Sequence, residues 1–173
     1  MGGFLKRTVI LVVMFATFAG GLVGTPASAG SWGVEAPQGS DWAEASAQGQ
    51  NHNTWLLAKC SSDRASIGLT LRDFWGTALG RVNGERYPVL ITFAGAGGLH
   101  ADYYVGLRYD TGEKEWSTDG YDIPRSFLDA FAKGATMRFD AAATAEEIAT
   151  YQLKGSAAAA RKMREACWER SGG

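Results

Sequence analysis

From Thr54 onward, apolar and polar residues alternate with the period of an extended strand. Residues 55–60 read as one strand, followed by a polar turn at Ser61-Ser62-Asp63-Arg64. Ala65, Ile67, Leu69 and Leu71 then alternate with Ser66, Gly68, Thr70 and Arg72, the pattern of a half-buried strand. Asn83-Gly84 predicts a hairpin, because both residues tolerate the positive φ of a type I′ turn. Past it, Tyr87, Val89, Ile91 and Phe93 fall on one face, and Gly95-Ala96-Gly97-Gly98 makes the next connection. Tyr103, Val105, Leu107 and Tyr109 alternate against Asp102, Tyr104, Gly106 and Arg108. Asp110-Thr111-Gly112-Glu113 is a further turn, with a short returning strand over 114–117.

The period changes at Asp122-Ile123-Pro124. With Asp122 as N-cap and Pro124 in the first turn, a helix follows whose apolar stripe is Phe127, Leu128 and Phe131, and Gly134 stops it. Residues 136–140 and 148–153 read as two more strands, and the Ala-rich 141–145 between them fits a connection or a helix running into Glu146-Glu147. Ser156 is expected to cap a last helix reaching about Trp168. Its Ala159, Ala160, Met163 and Cys167 point inward, and Arg161, Lys162, Arg164 and Glu165 are solvated. Upstream, residues 30–34 hold a short strand. Residues 35–53, rich in Ala, Gln, Ser, Gly and Asn, read as a loop or lid whose aromatic exception is Trp42. The expectation is one β-rich domain over 54–173, preceded by the strand and loop of 30–53. Its class is mainly antiparallel, sandwich-like β with two helices, one of them C-terminal, with α+β as the alternative.

Residues 1–29 belong to no such pattern. Lys6 and Arg7 precede an uncharged stretch over 8–23, and Pro26-Ala27-Ser28-Ala29 has the small-x-small form read by signal peptidase. Cleavage between Ala29 and Gly30 is expected. An uncleaved anchor is the alternative, but a spanning helix needs about 20 apolar residues, and Gly20, Gly21 and Gly24 weaken this stretch. The mature protein is therefore expected in the periplasm or secreted, without stable membrane insertion.

Composition narrows the class further. A chain of 173 residues with 46% hydrophobic, 20% charged and 12% aromatic residues is not disordered, collagenous or polytopic. Its 17 basic and 18 acidic residues give a charge of −1. Loss of Lys6 and Arg7 leaves 15 basic against 18 acidic residues, a mature charge of −3. A nucleic-acid partner would call for a basic surplus to replace phosphate counterions.

Cys60 and Cys167 are the two cysteines. In an exported chain an even count implies a disulfide, and two cysteines leave one intramolecular pairing. A redox pair is disfavoured, since no C-x-x-C is present and Cys60 sits in an apolar strand where a thiolate is costly. His52 and His100 form no H-x-x-x-H or H-E-x-x-H, so no metal site and no cofactor is expected. The glycines at 95–98 precede a strand and lack G-K-[S/T], which speaks against a phosphate loop. The acid pairs Asp119 with Asp122 and Glu146 with Glu147 are ordinary surface neighbours before they are glycosidase carboxylates. A dispersed Ser-His-Asp triad around His100 survives spacing arguments, because triads assemble from distant positions.

The cluster singled out for interaction is Tyr104, Arg108, Asp110 and Trp116. The first three share the polar face of one strand, and Trp116 is expected to cross over from the neighbouring strand. An aromatic residue beside a fixed Arg is the composition of a binding hot spot; a packed Trp near an ordinary Arg–Asp neighbourhood is the competing reading.

Several segments together resemble small exported bacterial proteins of the invasion-associated locus B family, and also the C-terminal part of periplasmic accessory proteins of type VI secretion. They are Trp55-Leu56-Leu57-Ala58-Lys59-Cys60 with the strand to Leu71, Val105-Gly106-Leu107-Arg108-Tyr109-Asp110 with Trp116-Ser117, Phe127-Leu128, and Tyr151-Gln152-Leu153-Lys154-Gly155-Ser156 leading to Cys167-Trp168. The resemblance runs as scattered motifs from Thr54 to Trp168; the segment from Gly76 to Gly98 has no counterpart in it. It implies a compact β-rich domain with a strand-to-helix disulfide, and an accessory or host-interaction role. The functional expectation is a non-enzymatic exported protein that binds a protein or an envelope component. The alternatives are a small envelope hydrolase and a stabilising factor of an envelope machine.

Overall fold

The computed structural model describes residues 31–50, 54–120 and 122–169. The expected signal peptide, its cleavage site and His52 lie outside them. The strands are β1 (Gly33–Glu35), β2 (Trp42–Gln48), β3 (Trp55–Ser61), β4 (Ser66–Arg72), β5 (Arg86–Ala94), β6 (His100–Asp110), β7 (Glu115–Thr118), β8 (Ile123–Pro124), β9 (Thr136–Ala141) and β10 (Glu147–Gln152). The helices are α1 (Phe127–Lys133) and α2 (Ser156–Arg164), the latter continued by a π-helical turn at Glu165–Glu169. The protein is thus mainly antiparallel β with two helices, one of them C-terminal.

The strands form one sheet in the order β1-β2-β3-β4-β7-β6-β5-β9-β10, with β8 pairing β4 off this path. The sheet curls until its ends are tied together. Gln50 N donates to the Thr150 carbonyl at 2.8 Å, Trp32 Nε1 to the Gln152 carbonyl at 3.0 Å, and Gln152 Nε2 to Gln50 Oε1 at 3.0 Å. Alternation sends Leu56, Ile67, Leu69, Leu71, Val89, Ile91, Phe93, Leu107, Phe139 and Tyr151 into one buried core.

The helices pack on each other and complete that core. Phe127 meets Phe93 at 5.0 Å and Tyr103 at 5.4 Å, and Phe131 meets Trp32 edge-on at 4.5 Å. Cys60 on β3 is bonded to Cys167 in the π-helical turn, with Cα atoms 6.1 Å apart and a sequence separation of 107. Both cysteines are fully buried. Among the described residues no helix is long and apolar enough to cross a membrane.

Four local expectations need correction. The loop expected over 35–53 contains β2, whose Ala43, Ala45 and Ala47 are buried while Trp42, Glu44, Ser46 and Gln48 are half-buried. Asn83-Gly84 is a turn but joins no hairpin: Glu85 N donates to the Val82 carbonyl, and only Gly84 of the pair has positive φ. That is type II geometry, and β4 pairs with β3, β7 and β8 while β5 pairs with β6 and β9. The first helix starts at Phe127, because Ile123 and Pro124 are spent pairing with Ile67 and Ser66 of β4. Ser156 caps nothing; its buried hydroxyl donates to the Phe131 carbonyl at 2.6 Å and ties α2 to α1.

Candidate functional site

The outer face of β5, β6 and β9 is laid out by an unbroken register. Leu90 lies between Tyr104 and Asp140, Thr92 between Asp102 and Arg138, and Ala94 opposite His100. Period-two alternation puts all of these on the side away from the core. All but Ala94 line, with Ala141 and the turn at Ala142 and Ala145, an open cleft of about 440 Å³. A second groove of about 310 Å³ lies beside it, lined by Arg86, Pro88, Tyr104, Val105 and Gly106. Tyr104 borders both and is 77% exposed.

Polar groups on this face hold one another in place. Arg138 Nε lies 2.8 and 2.9 Å from the two Asp140 oxygens, a hydrogen bond that raises the guanidinium's pKa. Asp140 is buried although it points outward. His100 Nε2 and Asp102 Oδ2 are 3.2 Å apart. Gly106 has a specific reason to be glycine: a Cβ there would fall 1.8 Å from Arg86 Nε, so only a bare backbone lets Arg86 lie across β6 toward Asp122 at 3.8 Å.

The four residues expected to form an interaction face divide. Tyr104 and Arg108 do share the outer face, and no bulge at Gly106 interrupts the register from Arg86↔Arg108 to Ala94↔His100. Arg108 donates to the Asp119 carboxylate, and to the Gly84 carbonyl at 2.7 Å. The guanidinium holds the Asp119 carboxyl below its ordinary range. Asp110 stands at the end of the strand, its Oδ1 accepting from Gly112 N and Glu113 N, which fixes the β6–β7 turn. Trp116 is not on this face. It pairs in register with Tyr109, not Arg108, and is 1% exposed. Its ring packs against Tyr109 at 4.7 Å and Phe74 at 5.6 Å, and Nε1 donates to the Gly80 carbonyl. The expected crossing fails because β6 and β7 are antiparallel neighbours whose paired residues face the same side.

No family model, curated protein or solved structure matches the chain.

The remaining candidates are placed as follows. The glycines at 95–98 make the β5–β6 connection, with Gly97 and Gly98 at positive φ. Asp119 and Asp122 are taken up by Arg108 and Arg86, and burial raises the Asp122 carboxyl. Glu147 accepts from the Thr150 hydroxyl and lies 3.8 Å from Arg138. His100 has its acid in Asp102, but Thr92 and Tyr104 are the hydroxyl residues lining the cleft; no serine is among them. Sequence reasoning missed Leu90, Thr92, Arg138 and Asp140. The i, i+2 spacing of Arg138 and Asp140 inside a strand was the signal available for two of them.

Proposed function

We propose that the chain is a non-enzymatic exported protein of the bacterial envelope that binds a protein or another envelope component through the outer face of β5 and β6. The observation that carries this reading is Tyr104, an aromatic side chain 77% exposed on a regular sheet face between two grooves. Buried aromatics are routine, whereas exposed ones flanked by a positioned Arg are the residues that dominate interfaces when truncated. Arg86 supplies that neighbour, lining the second groove with Tyr104 and lying across Gly106 toward Asp122; Arg108 continues the same face about 13 Å farther along β6, held by Asp119 and the Gly84 carbonyl. Support for export comes from the sequence pattern of residues 1–29 and from the disulfide. The resemblance to the invasion-associated locus B family supports the accessory role.

The test is a photo-crosslinking residue at position 104 in intact cells, with the same residue at the solvent-facing position 162 as control. An adduct of defined mass formed from position 104 and not from 162, and weakened by Arg108→Ala, is the expected outcome. Equal labelling from both positions would remove the face from consideration. A second reading, a hydrolase, rests on the His100–Asp102 pair in the cleft. It requires an ester or amide hydrolysis that His100→Ala abolishes with the fold intact.

A further inference from the structure

Trp75 stands in water at 75% exposure, in the segment joining β4 to β5. The segment around it is built, not slack. Phe74 and Leu79, each 2% exposed, anchor it in the core. Arg81 Nη2 donates to the carbonyls of Phe74 at 2.9 Å and Gly76 at 3.2 Å, one on each side of Trp75. The same guanidinium lies over the Trp116 ring, 5.2 Å from its centroid, and Trp116 Nε1 holds the Gly80 carbonyl at 2.9 Å. Gly76 must lack a Cβ, which would meet the Phe74 ring at 2.5 Å. A backbone so tightly held, carrying an indole outward, gains nothing for the fold from that indole.

Beside it opens a cleft of about 360 Å³, lined by Arg72, Asp73, Phe74, Trp75, Arg81, Tyr109, Glu113, Lys114 and Trp116. That volume is within the range of small-ligand sites, about 300–1,000 Å³. Asp73 and Lys114 both have positive φ, 58° and 56°, a conformation that L side chains adopt at a cost. The cleft also holds unspent polar capacity. Arg81 Nε and Nη1 and the Lys114 ammonium donate to no protein group among the described residues, and the Asp73 and Glu113 carboxylates accept from none.

Solvent-facing donors and acceptors of both signs beside an aromatic face fit one ligand chemistry. A simple anion would meet two carboxylates, and a simple cation would meet three basic side chains. A hydroxyl both donates and accepts, and the C–H face of a sugar ring complements the negative face of an indole. We propose that this cleft is a saccharide-binding site, in which Trp75 stacks on the apolar face of a pyranose ring. Arg81 and Lys114 donate to the ring's hydroxyls, and Asp73 and Glu113 accept from them. The site shares no residue with the face around Tyr104, so it stands or falls separately from the proposed function.

The experiment is calorimetric titration of the mature protein with tetrasaccharides of glucose, of N-acetylglucosamine and of galacturonate. At least one neutral tetrasaccharide binds saturably. Trp75→Ala weakens that binding by about tenfold or more at unchanged melting temperature, Trp75→Phe largely retains it, and Tyr104→Ala leaves it unaltered. No neutral sugar bound at about 10 mM, binding that survives Trp75→Ala, or binding of galacturonate alone would each overturn the proposal. The last outcome would make the cleft an anion site.

Discussion

Removing the Cys60–Cys167 bond tests the architecture most directly. The bond spans 107 positions and ties β3 to the turn after α2. In the chain-entropy relation a crosslink of that span restricts the unfolded chain by about 4–5 kcal/mol, an upper figure because denatured chains retain structure. Single domains have a net stability of about 5–15 kcal/mol, so the reduced form keeps a narrow margin. The assay is urea unfolding of oxidised protein, reduced protein, Cys60→Ala, Cys167→Ala and the double variant. Reduced wild type keeps both sulfur atoms, so its difference from the oxidised form isolates the crosslink from side-chain packing. The expected loss is about 3–5 kcal/mol, with a steeper denaturant dependence because the released chain exposes more surface on unfolding. The two single variants and the double variant should agree within about 1 kcal/mol, since each removes the same bond. A difference below about 1 kcal/mol between oxidised and reduced protein would refute the reasoning and show that other contacts hold the C-terminal helix.

Three further outcomes follow from the packing. Trp116→Ala lowers stability by about 3–5 kcal/mol, while Tyr104→Ala shifts it by about 0.5 kcal/mol or less; a neutral Trp116→Ala in urea unfolding would contradict its place in the core. Ser156→Ala costs about 1–3 kcal/mol, because the buried Phe131 carbonyl loses its donor; a cost no larger than that of a surface change would mean water replaces it. Burial raises the Glu44 carboxyl above its ordinary 4.5, against the pull of Lys59 and Arg72. Its ionisation therefore carries a stability cost, and this cost is absent below pH 4.5 and complete above the raised folded value. Glu44→Gln should raise the melting temperature at pH 7, with the gain fading toward pH 4.5, and a gain independent of pH would exclude this cause.

Strands built from large alternating residues were legible. Ile67, Leu69 and Leu71, or Val89, Ile91 and Phe93, mark one face without ambiguity, and the structure buries each of them. β2 was not, because its inward residues are Ala43, Ala45 and Ala47. Alanine in alternation with Glu, Ser and Gln carries little hydrophobic contrast, and a composition reading turns it into a loop. Pairing order was also beyond local pattern. Asn83-Gly84 signals a turn correctly, but whether the strands on either side of it pair with each other depends on β6, β7, β8 and β9, farther along the chain. The same limit governs the candidate face. Alternation places Tyr104 and Arg108 on one face correctly, since it acts within one strand. Trp116 was misplaced because its side follows from cross-strand register, which alternation within β6 does not contain.

The bonds that tie early segments of the chain to its last ones impose an order in time. Trp32 finds its acceptor 120 positions later, at Gln152, and Cys60 finds its partner 107 positions later. A chain emerging N-terminus first cannot close the curled sheet until nearly all of it has appeared. At about 5–20 residues per second, the wait between the two cysteines lasts about 5–20 s. During it the first strands have neither a closing edge nor a crosslink. Such late closure makes the fold slow by topology, and until the last strands arrive the early ones are held only by their pairing with near neighbours in sequence.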